Sequence, residues 1–227
     1  MVVLRSTLSS KSLFLPKYGT IVPYLGLFLY LWAVMARKKE FDEKALLDKA
    51  VNLFWRKGYH ATSAQDLVDE LGISRSSLYD TYTDKRNLFK ESLKLYQQCN
   101  TNALIALADR SGDAEQTIKE IFHNIIKEST ESEIARGCFM VNTAVELSGQ
   151  DKEIGDLVNQ NNKTVEDALT RLVKKGQTDG QFSSRSTARA FARFLFSSIS
   201  GLRVAARSGS DKKMLSDIVE VTLAALK

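Results

Sequence analysis

The sequence predicts an all-α protein, and three observations carry that prediction. Only two prolines occur in 227 residues. Apolar residues recur at helical spacing from about residue 41 to the end. No strand-like alternation of any length interrupts them. A chain of this length buries a substantial core, as one large domain or two smaller ones.

The first 34 residues stand apart. Residues 18 to 34, "YGTIVPYLGLFLYLWAV", form an uncharged run between Lys17 and the basic trio Arg37, Lys38 and Lys39. A membrane span needs about 20 apolar residues, and Pro23 with two glycines weakens this one further. No cleavage site of signal-peptide type follows. Met35 opens "MARKKEFDEKALL", an ordinary protein start, so residues 1–34 are read as an upstream extension. A genuine N-terminal anchor is the alternative.

From Phe41 to Lys57 the residues Leu46, Leu47, Ala50, Val51, Phe54 and Trp55 make an amphipathic stripe closed by Gly58. A short helix follows over about 63 to 71, with Ser63 as its N-cap, Asp66 three residues on in a weakened capping box, and Gly72 as its left-handed stop. Ile73 is a buried turn residue, and Ser74 caps a second short helix. That helix buries little: Leu78 and Tyr82 share one face, leaving Arg75, Ser76, Tyr79 and Asp80 pointing elsewhere. Two short helices joined by a tight glycine turn, the second polar and exposed, make a helix-turn-helix pattern. An ordinary αα-corner has the same spacing. Asp84 caps a long helix running to "SGD" at 111 to 113, and further helices are predicted at about 113 to 131, 137 to 148, 151 to 176, 186 to 207 and 211 to 226.

The formal charge of +5 divides as +3 over residues 1–36, +2 over 37–98 and zero over 99–227, so DNA binding would rest on individually placed Lys and Arg rather than on a basic field. Cys99 and Cys138 make no disulfide framework, and with only His60 and His123 no Cys/His group has zinc spacing. A reducing cytoplasm is the expected compartment. No Gly-rich phosphate loop, HExxH or nucleophile elbow occurs. The expectation is therefore no catalytic site, no metal and no cofactor.

The run "DKAVNLFWRKGYHATSAQDLVDELGISRSSLYDTYTDKRNLFKESL", residues 48 to 93, resembles the DNA-binding domain of tetracycline-repressor (TetR) family regulators. The segments "GCFMVNTAVEL" at 137 to 147 and "ISGLRVAARSGSDKKMLSDIV" at 199 to 219 resemble the C-terminal half of one branch of that family. The resemblance implies a helix-turn-helix DNA-binding domain over residues 35–84 and a helical effector-binding and dimerisation domain over 85–227. It implies a repressor released from a palindromic operator by a small-molecule effector, with double-stranded operator DNA and a second copy as partners and no membrane.

The same resemblance puts Ser63, Ser74, Arg75, Ser76, Tyr79, Thr81 and Lys85 against DNA. Hydroxyls and free N–H groups at helix N-termini suit phosphate oxygens, Arg75 can read a guanine edge, and Lys85 can neutralise a phosphate. Asp80 and Thr81 replace an aromatic and a His common in the family, and Ser76 replaces a frequent Gly. Asp80 is expected to pair with Arg75 or Lys85. Thr62 and Tyr82 are expected to be structural.

Effectors in the family bind among the helices beyond the DNA-binding domain, which makes Tyr96, Phe122, Phe139, Asn142 and Glu146 the candidate pocket residues. Phe191, Phe194, Leu195, Ile199 and Leu202, with Leu215, Ile218, Val219 and Leu223, supply the apolar surface for a four-helix dimer interface.

Overall fold

A computed structural model describes residues 42–131 and 136–227. The apolar run at 18–34, and with it the choice between extension and anchor, lies outside the described residues. Ten helices occur among these residues, and none is long and apolar enough to cross a membrane.

Local chemistry sets most helix starts. Asp42 opens α1 (Glu43–Lys57) by accepting from the backbone N–H groups of Lys44 and Ala45. Ser63 opens α2 (Ala64–Leu71) in a complete capping box with Asp66, and Gly72 ends it at φ 69°, in the left-handed region. Ser74 caps α3 (Arg75–Tyr82), and Asp84 caps α4 (Lys85–Tyr96). Each such cap contributes about 1 kcal/mol.

The long helix predicted from Asp84 is not continuous. A π-helical turn (Gln97–Thr101) separates α4 from α5 (Asn102–Ala108). Beyond lie α6 (Ala114–Glu131), α7 (Phe139–Leu147), α8 (Lys152–Thr178), α9 (Ala188–Arg207) and α10 (Lys212–Ala224).

Two apolar clusters form the interior. One joins α1 to α4 with Phe139, Met140 and Leu147 of α7 and Ile154 and Val158 of α8. The other joins α5, α6, α9, α10 and the rest of α8. Thus the buried residues of α7 belong to the first cluster, together with α4 and the start of α8. Phe89 is central to this arrangement: its ring lies 4.9 Å from Phe54, 5.0 Å from Tyr59 and 5.4 Å from Phe139, all near edge-to-face.

An electrostatic clamp adds to these contacts. Arg86 on α4 donates from Nε and Nη2 to both carboxylate oxygens of Asp151, at 2.6 and 2.9 Å, while Asp151 caps α8. The Arg86 hydrogen bonds hold the Asp151 carboxyl down at about 2, against an ordinary 3.8. Because the folded value lies below the unfolded one, the stabilisation is complete above about pH 4 and is lost as the pH falls through about 2. The stability difference between wild type and Asp151→Asn in urea is therefore expected to be constant above that window and to vanish at its acid end. A pH-independent difference would show that the clamp is not ionic.

Candidate functional site

The turn between α2 and α3 leaves a small polar surface. Ser74, Arg75 and Ser76 are exposed, whereas Leu78 and Tyr82 are buried and anchor α3 to the first cluster. Tyr82 also donates to the Glu43 carbonyl at 3.3 Å, in the structural role expected of it. The Ser74 hydroxyl accepts the Ser77 N–H at 3.1 Å and shares hydrogen bonds with the Ser76 and Ser77 hydroxyls. Arg75 is different. It is the only arginine among the described residues with no hydrogen bond or ion pair inside the chain.

The other residues expected at DNA are more committed. Ser63 donates to Asp66 at 2.8 Å while accepting the Asp66 N–H, and hydrogen bonds from Lys57 and Ser63 hold the Asp66 carboxyl well below the usual carboxylate range. Thr81 is half-buried and donates back to the Ser77 carbonyl at 2.9 Å. Tyr79 is half-buried against the first cluster with its hydroxyl unpaired.

Lys85 has an internal task. Its ammonium donates to the carbonyls of Tyr59 and Thr62 at 2.9 and 2.7 Å and lies 4.3 Å from the centre of the Tyr59 ring. Burial pushes its pKa down, partly offset by the Glu146 carboxylate. The Asp80 pairing expected from the sequence is absent: Asp80 makes no ion pair among the described residues, because Lys85 is turned to these carbonyls and Arg75 extends outward. Thr62 is buried and donates to the Gly58 carbonyl at 2.6 Å. The 58–63 loop is thus built from inside by Thr62 and Lys85.

Glu146 completes that loop from α7. Its carboxylate accepts the N–H groups of Tyr59 and His60 at 3.0 and 2.7 Å. Gly58 makes room for it: φ there is 85°, and a Cβ would stand 2.9 Å from the Glu146 carboxylate. Glu146→Gln keeps one acceptor oxygen but loses the charge, and is expected to lower stability by about 1 kcal/mol in a denaturant titration.

Of the predicted pocket residues, Tyr96 and Phe139 meet edge-on, with ring centres 5.6 Å apart, and the others lie elsewhere. Phe122 is fully buried in the second cluster and Phe139 in the first. Asn142 donates to the Arg136 carbonyl at 3.1 Å. Tyr96 alone of the five lines a cavity, together with Asn100, Thr101, Cys138, Asn161 and Arg203. Arg203 was not singled out by its sequence context, "SGLRVAARSG", which reads as an ordinary basic helix end.

This cavity is small, about 40 Å³, and an adjoining one of about 120 Å³ shares Asn100, Leu104 and Arg203 with it. Tyr96 links it to the first cluster, since its ring lies edge-on to Trp55 of α1 at 5.1 Å. No group of three or more metal-ligating side chains occurs among the described residues.

Known proteins share this architecture. Residues 46–92 match the family model described as bacterial regulatory proteins, tetR family, and residues 114–221 match that of the tetracyclin repressor-like C-terminal domain. The chain is 34% identical over 193 residues to the HTH-type transcriptional regulator YezE of Bacillus subtilis, covering 85% of this chain and all of the relative. It is 31% identical over 190 residues to the HTH-type transcriptional repressor ComR of Escherichia coli, covering 82% of this chain and 90% of the relative. Among solved structures, a cysteine mutant of the regulator CifR complexed with 26bp double-strand operator DNA superposes with a TM-score of 0.76 at 23% identity, over 85% of this chain and all of that one.

Proposed function

The chain belongs to the TetR family of bacterial transcriptional regulators, and from that premise we propose that it is a repressor whose α3 enters the major groove of a palindromic operator and leaves it when a small effector binds. One observation carries the reading: the unpaired guanidinium of Arg75 at the exposed start of α3, in a chain where every other described arginine has a partner. Ser74, Ser76 and the Tyr79 hydroxyl flank it and are assigned to phosphate or base-edge contacts. Ser63 and Thr81 contribute through the shape they give the turn. Lys85 is assigned to holding the 58–63 loop rather than to a direct phosphate contact. In this reading residues 35–84 recognise DNA, and 85–227 bind effector and dimerise. The protein works in the cytoplasm, and no residue has a catalytic role.

Dimerisation is argued from surface the chain does not cover. Phe191, Leu195, Ile199, Leu202 and Leu215, expected at the interface, are buried within the chain, and Ile218, Val219 and Leu223 pack half-buried against the same cluster. On these two helices the exposed large apolar groups are Phe194 and Val204 of α9 with Met214 and Val221 of α10. Between the α9 pair lie exposed Ser197 and Gly201, and a Cβ at Gly201 would meet nothing within 4 Å, so a second helix has room to approach. Light scattering is expected to give a dimer, and Phe194→Glu with Val221→Glu a monomer; a wild-type monomer at micromolar concentration ends the claim.

The two half-sites should then lie about 34 to 36 Å apart, one helical turn. Selection of DNA sequences followed by footprinting tests the whole reading. A symmetric protected site is expected, and its absence overturns the proposal.

A further inference from the structure

Arg203 is the unexplained charge in the interior. It projects from α9 into the space between α4, the π turn, α7 and α8, and it lines both cavities. Its Nη1 donates to the Tyr96 hydroxyl at 3.3 Å, with the Cys138 sulfur also beside the guanidinium, and Tyr96 in turn donates to the Cys138 Sγ at 3.6 Å. No carboxylate among the described residues stands within ion-pair distance of it. Glu128 on α6, at the edge of the adjoining cavity, is the acid that acts on it from longer range.

Burial opposes the charge on Arg203, but the polar atoms around it and the Glu128 carboxylate more than offset that, and its pKa lies above the ordinary value. Burial, reinforced by Cys138, pushes the Tyr96 phenol far up, so its hydroxyl stays neutral and can donate. Taking a cation out of water without a bonded anion costs several kcal/mol, and a guanidinium offers five donors in a planar fork that matches a carboxylate. Most of those donors are unused here.

The backbone opposite is irregular in the same place. The π turn carries Asn100 and Thr101 into the cavity wall, and Thr101 donates to Asn161 at 2.9 Å. Single π turns inside α-helices mark functional sites often. Val165, Phe196 and Ile199 give the remaining wall an apolar character.

We propose that this site takes a small organic anion, a carboxylate on a short apolar body, with its oxygens held by Arg203 and the Asn100 amide and its body against Val165, Phe196 and Ile199. This deepens the regulator reading and rests on it for the meaning of binding. The two cavities adjoin through Arg203 itself, so a shift of its side chain onto the ligand joins them into one chamber. The π turn lies on the covalent path to α4, and the Tyr96 ring touches Trp55, so the occupant sits where the DNA-proximal helices are attached.

Calorimetry on the full chain tests the assignment with matched pairs: hexanoate and hexanamide, benzoate and benzamide, phenylacetate and phenylacetamide. At least one acid is expected to bind, with its neutral amide about tenfold weaker or more. Arg203→Gln is expected to abolish that preference, and Arg203→Lys, which keeps the charge without the fork, to restore part of it. The proposal is overturned if amides bind as well as acids, if no acid binds at millimolar concentration, or if acid binding survives in Arg203→Gln. Should the Gln protein not fold, the acid–amide comparison on wild type still decides. No DNA is present in this experiment. Its failure therefore removes the ligand class and leaves operator binding intact, whereas a missing symmetric footprint removes the regulator reading and leaves the calorimetry standing.

Discussion

Phe89→Ala is expected to lose about 3 to 5 kcal/mol of folding stability, the range for emptying a buried aromatic site, and to take operator binding with it at growth temperature. The residue is fully buried, and its ring meets Phe54 of α1, Tyr59 of the 58–63 loop and Phe139 of α7. No neighbour can fill the space cheaply. The loop is pinned from two other sides by Lys85 and Glu146, and α1 and α7 are held by further buried residues of their own in the same cluster, so the site collapses little and the cavity persists. Phe89→Leu keeps most of the volume and is expected to lose less than half as much, although the edge-to-face contacts go with the ring. Chemical denaturation followed by helix signal measures both. Equal losses for Ala and Leu would show that ring geometry, not filled volume, holds the junction.

What the sequence made legible was local. The caps Ser63, Ser74 and Asp84 and the stop at Gly72 lie beside the helices they bound, so spacing alone locates them. Tyr82 and Thr62 were assigned to structure on short-range pattern, and both are buried. The π turn was not legible, because Gln97–Thr101 has no Gly or Pro to mark it, and its one long-range side-chain hydrogen bond, Thr101 to Asn161 of α8, spans 60 positions.

The side-chain contacts that the sequence did not reveal depend on distant partners. Lys85 reaches carbonyls 26 and 23 positions back, and Glu146 reaches N–H groups 87 and 86 positions back. Phe139 and Phe122 had helical spacing that fits core and cavity wall equally well, and packing made both core. Arg203 could be recognised only once Tyr96, 107 positions away, was beside it.

Arg75→Ala is expected to weaken binding to the selected operator by about 1 to 3 kcal/mol per half-site, the cost of losing one good base contact. A twofold dimer carries the residue twice, so a symmetric operator loses it twice while a single half-site loses it once. Stability should not change, because the exposed guanidinium makes no hydrogen bond or ion pair among the described residues. Arg75→Lys keeps the charge but not the two-pronged donor and separates the two roles. If Arg75 reads a base, Lys is expected to behave nearly as Ala does on the operator and as wild type on unrelated DNA. If Arg75 contacts only phosphate, Lys rescues both and the salt slope of binding falls by about one per contact removed. Lys85→Ala provides the contrast, since it frees the Tyr59 and Thr62 carbonyls and is expected to lower the melting temperature before it touches sequence preference. Binding isotherms for the operator, a half-site and unrelated duplex at several salt concentrations distinguish these cases. An Arg75→Ala protein that binds all three as wild type does would remove α3 from the groove.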